Sequence, residues 1–374
     1  MQAAARRRSR RRVVVLPALA VLLAGGAAVG LNKGSGPSSV VPARSLASSG
    51  TVYFTTFSPP TVSEVRYRYR SGSLSLGRPR LVARTPGADG LAFAPDGRLL
   101  LGGQGTGDVI SVSLPGGQLQ SIPSGVPGAF HVSVDPSGRA AWTSGEPGRL
   151  AKVPLDPLAP GRPVTLHGSD TAVTALAFAP DGKVLYTSSP PDGVGDIGLV
   201  DLATGTTTRL ETGVVGAHGA AYDPFTNCFL VVGGDTILQL DAADPSTVVS
   251  ELAEPGTQLD QVSVTGRGQA FVASNNGELL FVDYSRTGRV GDVSSKVTTR
   301  YVTADLDDVA PLVGPGAKPV PTDAPAWRTA GEASLGAEAL LVAGLVAWLL
   351  RRARKGRSRA TLPSWDRRRR GRRL

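Results

Sequence analysis

The sequence "LAFAPDGRLLLG" occupies residues 91–102, and a near copy, "LAFAPDGKVLY", returns at residues 176–186. A drifted copy, "VSVDPSGRAAW", lies between them at 132–142, and two more follow, "AAYDPFTNCFL" at 220–230 and "VSVTGRGQAFV" at 262–272. The turns of successive copies are 41, 44, 44 and 42 residues apart, measured at Pro95, Pro136, Pro180, Pro224 and Gly266. A period of about 43 residues is typical of repeated helix pairs or of the four-stranded blades of a β-propeller.

The pattern of apolar residues within each copy decides between these two architectures. Each copy begins with a run in which every second residue is apolar, such as Leu91 and Phe93, and continues through a tight turn to a second β-rich run. A period of two and glycine-bearing turns indicate β-hairpins rather than helices. A third run and a weaker fourth complete the unit, as in "DIGLVDL" at 196–202 and "TTTRL" at 206–210. The sequence therefore predicts an all-β propeller of four-stranded blades.

The two ends of the repeat region set the number of blades. Residues 46–312 have room for about six units of this length. The first unit, starting with "TVYFTTF" at residues 51–57, lacks an opening strand, whereas the last run, "LDDVAPL" at residues 306–312, has no blade of its own. Pairing these two would close the ring and remove two exposed sheet edges. We predict six blades closed by residues 306–312, with seven blades as the alternative.

The hairpin sequences also carry a family resemblance. "AFAPDGRLL" at residues 92–100 and "VDLATGT" at 200–206 resemble the extracytoplasmic propeller superfamily of YVTN, NHL and gluconolactonase-like repeats. The resemblance covers about 265 residues and implies a propeller fold, in a form that is membrane-anchored and bacterial. Because its motifs are turns, it implies little chemistry beyond the metal that lactonase-like propellers bind at their channel mouth.

The net charge of +10 is concentrated at the two ends of the chain. Six arginines lie in the first 12 residues, and 12 Lys or Arg residues against the single acid Asp366 lie in residues 351–374. The remaining residues contain 22 basic and 29 acidic side chains, a net charge of −7. This balance predicts no basic stripe on the propeller and therefore no nucleic-acid partner.

Two apolar runs, residues 13–31 and 335–350, adjoin these arginine clusters. Such runs are typical of a signal sequence or anchor and of a short transmembrane helix. Since clustered arginines stay on the cytoplasmic side, we predict a cell-membrane protein whose propeller is extracytoplasmic. The predicted segments are a signal sequence or signal anchor (1–31), a spacer (32–45), the propeller (46–312), a Pro/Gly-rich stalk (313–334), the transmembrane helix (335–350) and a basic cytoplasmic tail (351–374).

Candidate site residues follow from the propeller geometry. The opening strand of each blade lines the central channel, and the first residues of these strands gather at one mouth. Aligning the repeats on their turns places the following residues at equivalent positions: Asp89, Phe130, Thr174, His218, Asp260 and Asp307. His131 joins them if the register differs by one residue.

This ring suggests a ligand site or a metal site at the mouth. Three carboxylates and an imidazole could bind a divalent cation, most directly Ca²⁺ through Asp89, Asp260 and Asp307. Hydrogen bonds from the aspartates to neighbouring backbone groups would explain the same pattern without a ligand. No general base stands out.

Two functions therefore remain open. The first is a non-enzymatic binding module for a protein or a surface glycan, which we favour because the sequence lacks a nucleophile triad, a phosphate loop and a paired-histidine motif. The second is a metal-dependent lactonase or hydrolase at the channel mouth. The single cysteine, Cys228, excludes an internal disulfide in either case.

Overall fold

The computed structural model describes residues 47–168, 172–189, 195–210 and 214–313, which form a β-propeller. Six antiparallel sheets make six blades, so the six-blade prediction is confirmed and the seven-blade alternative is wrong. The two predicted apolar segments, residues 13–31 and 335–350, lie outside the described residues. Over the ranges that are described, no helix is long and apolar enough to cross a membrane.

Each blade runs outward from the channel, and strands are numbered in chain order. The strands of blades 1 to 3 are β25 (Leu306–Val313), β1 (Ser48–Thr56), β2 (Thr61–Arg70), β3 (Ser73–Leu76) and β4 (Arg80–Arg84); β5 (Leu91–Phe93), β6 (Leu99–Gly103), β7 (Asp108–Val112) and β8 (Leu119–Pro123); and β9 (Val132–Val134), β10 (Ala140–Glu146), β11 (Arg149–Pro154) and β12 (Arg162–Thr165). Those of blades 4 to 6 are β13 (Val173–Phe178), β14 (Val184–Ser188), β15 (Asp196–Asp201) and β16 (Thr206–Leu210); β17 (Ala217–Asp223), β18 (Cys228–Gly233), β19 (Thr236–Asp241) and β20 (Val248–Ala253); and β21 (Leu259–Val264), β22 (Gln269–Ser274), β23 (Glu278–Asp283) and β24 (Lys296–Tyr301).

Blade 1 is built from both ends of the repeat region. Its innermost strand, β25, pairs antiparallel with β1, with Phe54 opposite Val309. The outer position is shared by β3 and β4, which both pair with β2. Tyr67 of this blade packs edge-on against Phe271 of blade 6, with ring centroids 4.8 Å apart. An aromatic contact therefore seals the seam where the ring closes.

Apolar side chains hold neighbouring blades together. Among the described residues, six buried clusters occur, one at each interface between adjacent blades. The second strands β6, β18 and β22 are buried along their whole length, because a blade has a neighbour on both faces. This explains their nearly continuous apolar sequences, whereas the outer strands are partly exposed.

The repeated Pro-Asp-Gly turns have a local cause. Gly97 and Gly182 adopt φ values of +86° and +89°, a region that a residue with a Cβ rarely enters. The Asp96 carboxylate accepts a hydrogen bond from the Arg98 backbone N–H at 3.1 Å. The Arg98 side chain, which also donates to this carboxylate, lowers the pKa of Asp96. These aspartates stabilise hairpins on the face opposite the mouth.

Candidate functional site at the channel mouth

A cavity of about 400 Å³ opens at the mouth of the central channel. All six residues that the repeat alignment made equivalent line this cavity: Asp89, Phe130, Thr174, His218, Asp260 and Asp307. The other lining residues are Phe57, Gln104, His131, Ala172, Ser189, Asn275 and Asp305. None of these described lining residues is a lysine or an arginine, so the electrostatic potential of the cavity is set by carboxylates and imidazoles.

The mouth residues lie at irregular points of the inner strands. The pairing register shifts between Ala217 and Gly219 in β17, which leaves His218 between them, and between Leu259 and Val262 in β21, which contains Asp260. The register also shifts around Thr174 in β13. A β-bulge of this kind re-aims a side chain. Two successive residues can therefore both face the channel instead of alternating.

His131, a residue of blade 3, is the central residue of the site. Its Nδ1 donates to Asp308 Oδ2 of blade 1 at 2.7 Å and lies 3.5 Å from Asp89 Oδ1 of blade 2. Its Nε2 lies 3.1 Å from His218 Nδ1 of blade 5, and Gln261 of blade 6 packs against Nδ1 at 3.2 Å. One buried imidazole thus contacts four other blades across the axis.

His218 and Asp260 form the second part of the cluster. His218 Nδ1 is 3.1 Å from Asp260 Oδ1, which also accepts a hydrogen bond from Asn275 at 3.3 Å. The hydroxyl groups of Thr174 and Thr187 both donate to the backbone carbonyl of His218, at 2.7 and 2.6 Å. These hydroxyls fix the bulged backbone, so the imidazole of His218 is held in place.

The buried charges shift one another's protonation. Burial by itself lowers the pKa of His131, but the Asp308 and Asp89 carboxylates raise it, and the net pKa is well above the ordinary value. Burial and the neighbouring His131 lower the pKa of His218 to about 3. At neutral pH, His131 is therefore an imidazolium and His218 a neutral acceptor.

Three aspartates of the mouth also have raised pKa values. Burial raises the pKa of Asp260 to about 8, because attraction to His131 offsets only part of the cost of burying a carboxylate. Burial and the neighbouring carboxylates also raise the pKa of Asp89 and of Asp307. The site therefore holds protons that a bound cation would replace.

Two sets of donor atoms lie close enough to share one ion, with all atoms of a set within 4.8 Å. We call them the His–His–Asp group (His131, His218, Asp260) and the His–Asp–Asp group (Asp89, His131, Asp308). Asp89 and Asp260, two of the three aspartates that the sequence nominated for Ca²⁺, therefore fall in different groups. In the described part of the chain, Asp307 belongs to neither.

Sequence reasoning missed Asp308, Gln261 and Asn275. Asp308 and Gln261 occupy the same position of two repeats, directly after Asp307 and Asp260. The pairs "DD" and "DQ" were the available signal, but strict alternation would have pointed the second residue of each away from the channel. The bulges bring both residues in, and only the folded chain reveals them.

The fold and the cavity define the class of this protein as a six-bladed β-propeller with an acidic channel mouth. No protein-family model matches the chain, and no curated protein does. A solved structure of similar fold is the selenomethionine-substituted virginiamycin B lyase from Staphylococcus aureus. The two share 10% sequence identity over 67% of this chain and 84% of that chain, with a TM-score of 0.46.

Proposed function

We propose that this protein is a membrane-tethered, extracytoplasmic binding module that receives a cationic group of its partner at the channel mouth. The observation that carries the proposal is the lining of the cavity, which has four carboxyl groups, from Asp89, Asp260, Asp305 and Asp307, and neither lysine nor arginine among its described residues. Oδ2 of Asp260 and Oδ2 of Asp307 are buried without a hydrogen-bond partner. Buried polar atoms are rarely left unpaired, so a donor from a ligand is the natural complement.

The size of the cavity and its rim describe the ligand further. A cavity of about 400 Å³ accommodates a side chain or a sugar rather than a folded loop. Phe57, which is 56% exposed, and Phe130 supply apolar surface beside the carboxylates. A lysine side chain of a protein partner, or an amino sugar of a surface glycan, combines a cation with apolar carbon and matches both features.

A metal-dependent hydrolase is the second candidate, and the His–His–Asp group favours it. Asp308 accepts from His131 Nδ1, the arrangement that orients the other ring nitrogen of a histidine toward a metal. His131 Nε2, His218 Nδ1 and Asp260 Oδ1 then offer two nitrogens and one oxygen, a donor set that suits a transition metal better than Ca²⁺. A bound ion would supply Lewis acidity toward a carbonyl such as that of a lactone. Membership of the lactonase-like propeller superfamily is part of this second proposal.

Calorimetric titration of the full chain in mild detergent, after treatment with a chelator, tests both candidates. The probes are N-acetyl-lysine amide, glucosamine, Ca²⁺ and Zn²⁺. We expect Asp260→Asn to weaken binding of the recognised cation about tenfold or more, because an interaction with a charged group contributes about 1.5–3 kcal/mol. Asp181→Asn, an exposed turn residue on the opposite face, is the matched control.

The outcomes separate the two functions. Binding of an amine without a metal supports the binding module. Stoichiometric Zn²⁺, together with lactone hydrolysis that a chelator abolishes, supports the hydrolase. If none of the four probes binds the wild-type chain, the mouth is not a cation site and both proposals fail.

The membrane tether is supported by the two apolar runs and their arginine clusters. About 2.5–3.5 kcal/mol opposes placing each arginine at the bilayer centre, so the 12 basic residues of the tail favour the cytoplasm. An epitope after Leu374 should resist protease added to intact cells, whereas one inserted in the turn at residues 285–288 should be digested. A tail that is digested would overturn the tether without affecting the titration.

A further inference from the structure

Blade 1 differs from the rest of the propeller in charge. Its residues, 47–86 and 306–313, contain six arginines and three acidic residues, Glu64, Asp307 and Asp308, whereas residues 87–305 contain 12 basic and 23 acidic residues. The overall balance predicted no basic stripe on the propeller, and for this blade that prediction is wrong. Blade 1 therefore has a net positive charge, although the net charge of the propeller is negative.

Three of these arginines form a row that we call the arginine ladder: Arg66, Arg68 and Arg70 of β2. They alternate with buried Tyr67 and Tyr69, so all three point to the same exposed face, about 7 Å apart along the strand. Their neighbours on the adjoining strands, with Ser49 opposite Arg68 on one side and Ser75 on the other, are small hydroxyl residues.

Within the described part of the chain, the ladder forms no ion pair. The ion pairs that the described arginines form involve Arg80, Arg98, Arg149 and Arg209, not the ladder. Three like charges in a row repel one another, and the exposed strand gains nothing in folding from this arrangement. Hydroxyl groups beside guanidinium groups suit phosphate, which takes several donors at once.

The position of the ladder relative to the chain ends indicates what it meets. β1 starts at Ser48, opposite Tyr69, and Val313 at the end of β25 lies opposite Gly50. Both ends of the described propeller therefore leave blade 1 beside the ladder. The other end of β1 leads to Phe57 at the channel mouth, so the ladder lies at the end of blade 1 away from the mouth.

The predicted tether is short. The stalk at residues 313–334 has 22 residues before the apolar run begins. A flexible chain of that length has a root-mean-square span of about 25 Å. Since the stalk starts in blade 1, this blade is the part of the propeller held nearest to the membrane.

We propose that the arginine ladder binds the anionic lipid headgroups of the membrane to which the chain is tethered, so that the channel mouth faces away from that membrane. This proposal rests on the tether in the proposed function and is independent of what the mouth binds. Each basic side chain near an anionic surface raises the equilibrium constant for binding about fivefold. The three arginines of the ladder together therefore favour the docked orientation over the undocked one on the order of 100-fold.

Arginine modification tests the proposal in the full chain. The chain is inserted into nanodiscs of phosphatidylcholine alone or mixed with phosphatidylglycerol, and phenylglyoxal adducts are mapped by mass spectrometry. We expect the three ladder arginines to react at least about tenfold more slowly in the anionic nanodiscs. Exposed Arg149, Arg209 and Arg300 lie toward the mouth ends of their strands and should react equally in both. The protection should disappear in about 1 M salt, where the Debye length is about 3 Å.

Variants extend the test. A fluorophore on Ser73→Cys, at the exposed start of β3, should be quenched by a headgroup spin-labelled lipid in anionic nanodiscs. The triple variant R66Q/R68Q/R70Q should lose the quenching, whereas R149Q/R209Q/R300Q, with the same change in charge toward the mouth end, should keep it. Cys228 is buried, and burial raises the pKa of its thiol to about 11, which keeps the label specific.

Three results would overturn the proposal. The first is equal reactivity of the ladder in anionic and neutral nanodiscs. The second is equal quenching in the two triple variants. The third is protection by soluble polyphosphate without protection by phosphatidylglycerol, which would identify the ladder as a polyanion site. A chain that does not insert into nanodiscs at all would instead contradict the tether.

Discussion

Replacing Asp260 with asparagine should stabilise the protein, and increasingly so as the pH rises. Asp260 is 4% exposed, and its Oδ2 has no hydrogen-bond partner. Burial raises its pKa from 3.8 to about 8. The folded protein therefore binds a proton that the unfolded chain releases, so wild-type stability falls as the pH rises from about 4 to about 8.

The size of the effect follows from the pKa. A rise from 3.8 to about 8 corresponds to at most about 6 kcal/mol, at about 1.4 kcal/mol per pKa unit. Water entering from the mouth relaxes part of this cost, so we expect about 3 kcal/mol. The asparagine side chain cannot ionise, and its amide oxygen can still accept the hydrogen bond from Asn275. The advantage of Asp260→Asn should be near zero at about pH 4 and about 3 kcal/mol at about pH 9.

Urea denaturation of the full chain in detergent, with a chelator present and followed by tryptophan fluorescence, measures this difference. Asp181→Asn is the control, because the Lys183 side chain lowers the pKa of Asp181 and the sign of its contribution is therefore opposite. That variant should lose a little stability above about pH 4 and gain none at about pH 9. Parallel pH profiles for Asp260→Asn and wild type would refute the reasoning.

Three further predictions concern the ring, its glycines and the proton held at the mouth. Val309→Ala should cost about 2 kcal/mol in denaturation, since Val309 is fully buried at the closing seam, whereas Val293→Ala at a 98% exposed position should cost almost nothing. Gly145→Ala should prevent folding, because a Cβ at this position would lie 1.7 Å from the Pro127 carbonyl oxygen. Gly182→Ala should lower the melting temperature by only a few degrees, because its Cβ would meet open space and only the φ of +89° is unfavourable. If Zn²⁺ binds the His–His–Asp group, the affinity measured by calorimetry should rise between about pH 6 and about pH 8, because the ion displaces the protons of His131 and Asp260. An affinity that does not depend on pH would contradict this.

The repeat and the strands could be predicted from the sequence, which also favoured six blades over seven. Pro95 and Gly97 mark a hairpin wherever the pattern recurs, because turn conformation and strand alternation depend on neighbouring residues. The same alignment placed Asp89 and Asp260 on one cavity, since equivalent positions of a closed repeat lie on one ring. Local rules repeated six times were sufficient for these conclusions.

The contacts and the protonation of the site depend on the folded chain. The hydrogen bond between His131 and Asp308 joins residues 177 positions apart, and no local pattern connects them. Bulges in the inner strands turn Gln261 toward the channel beside Asp260, against the alternation that the sequence suggested. Protonation is likewise a property of the assembled cluster, because burial and charges from several blades act together on each group. The position of the arginine ladder is recognised for the same reason, since closing the ring through β25 places both ends of the described propeller in the blade that carries the ladder.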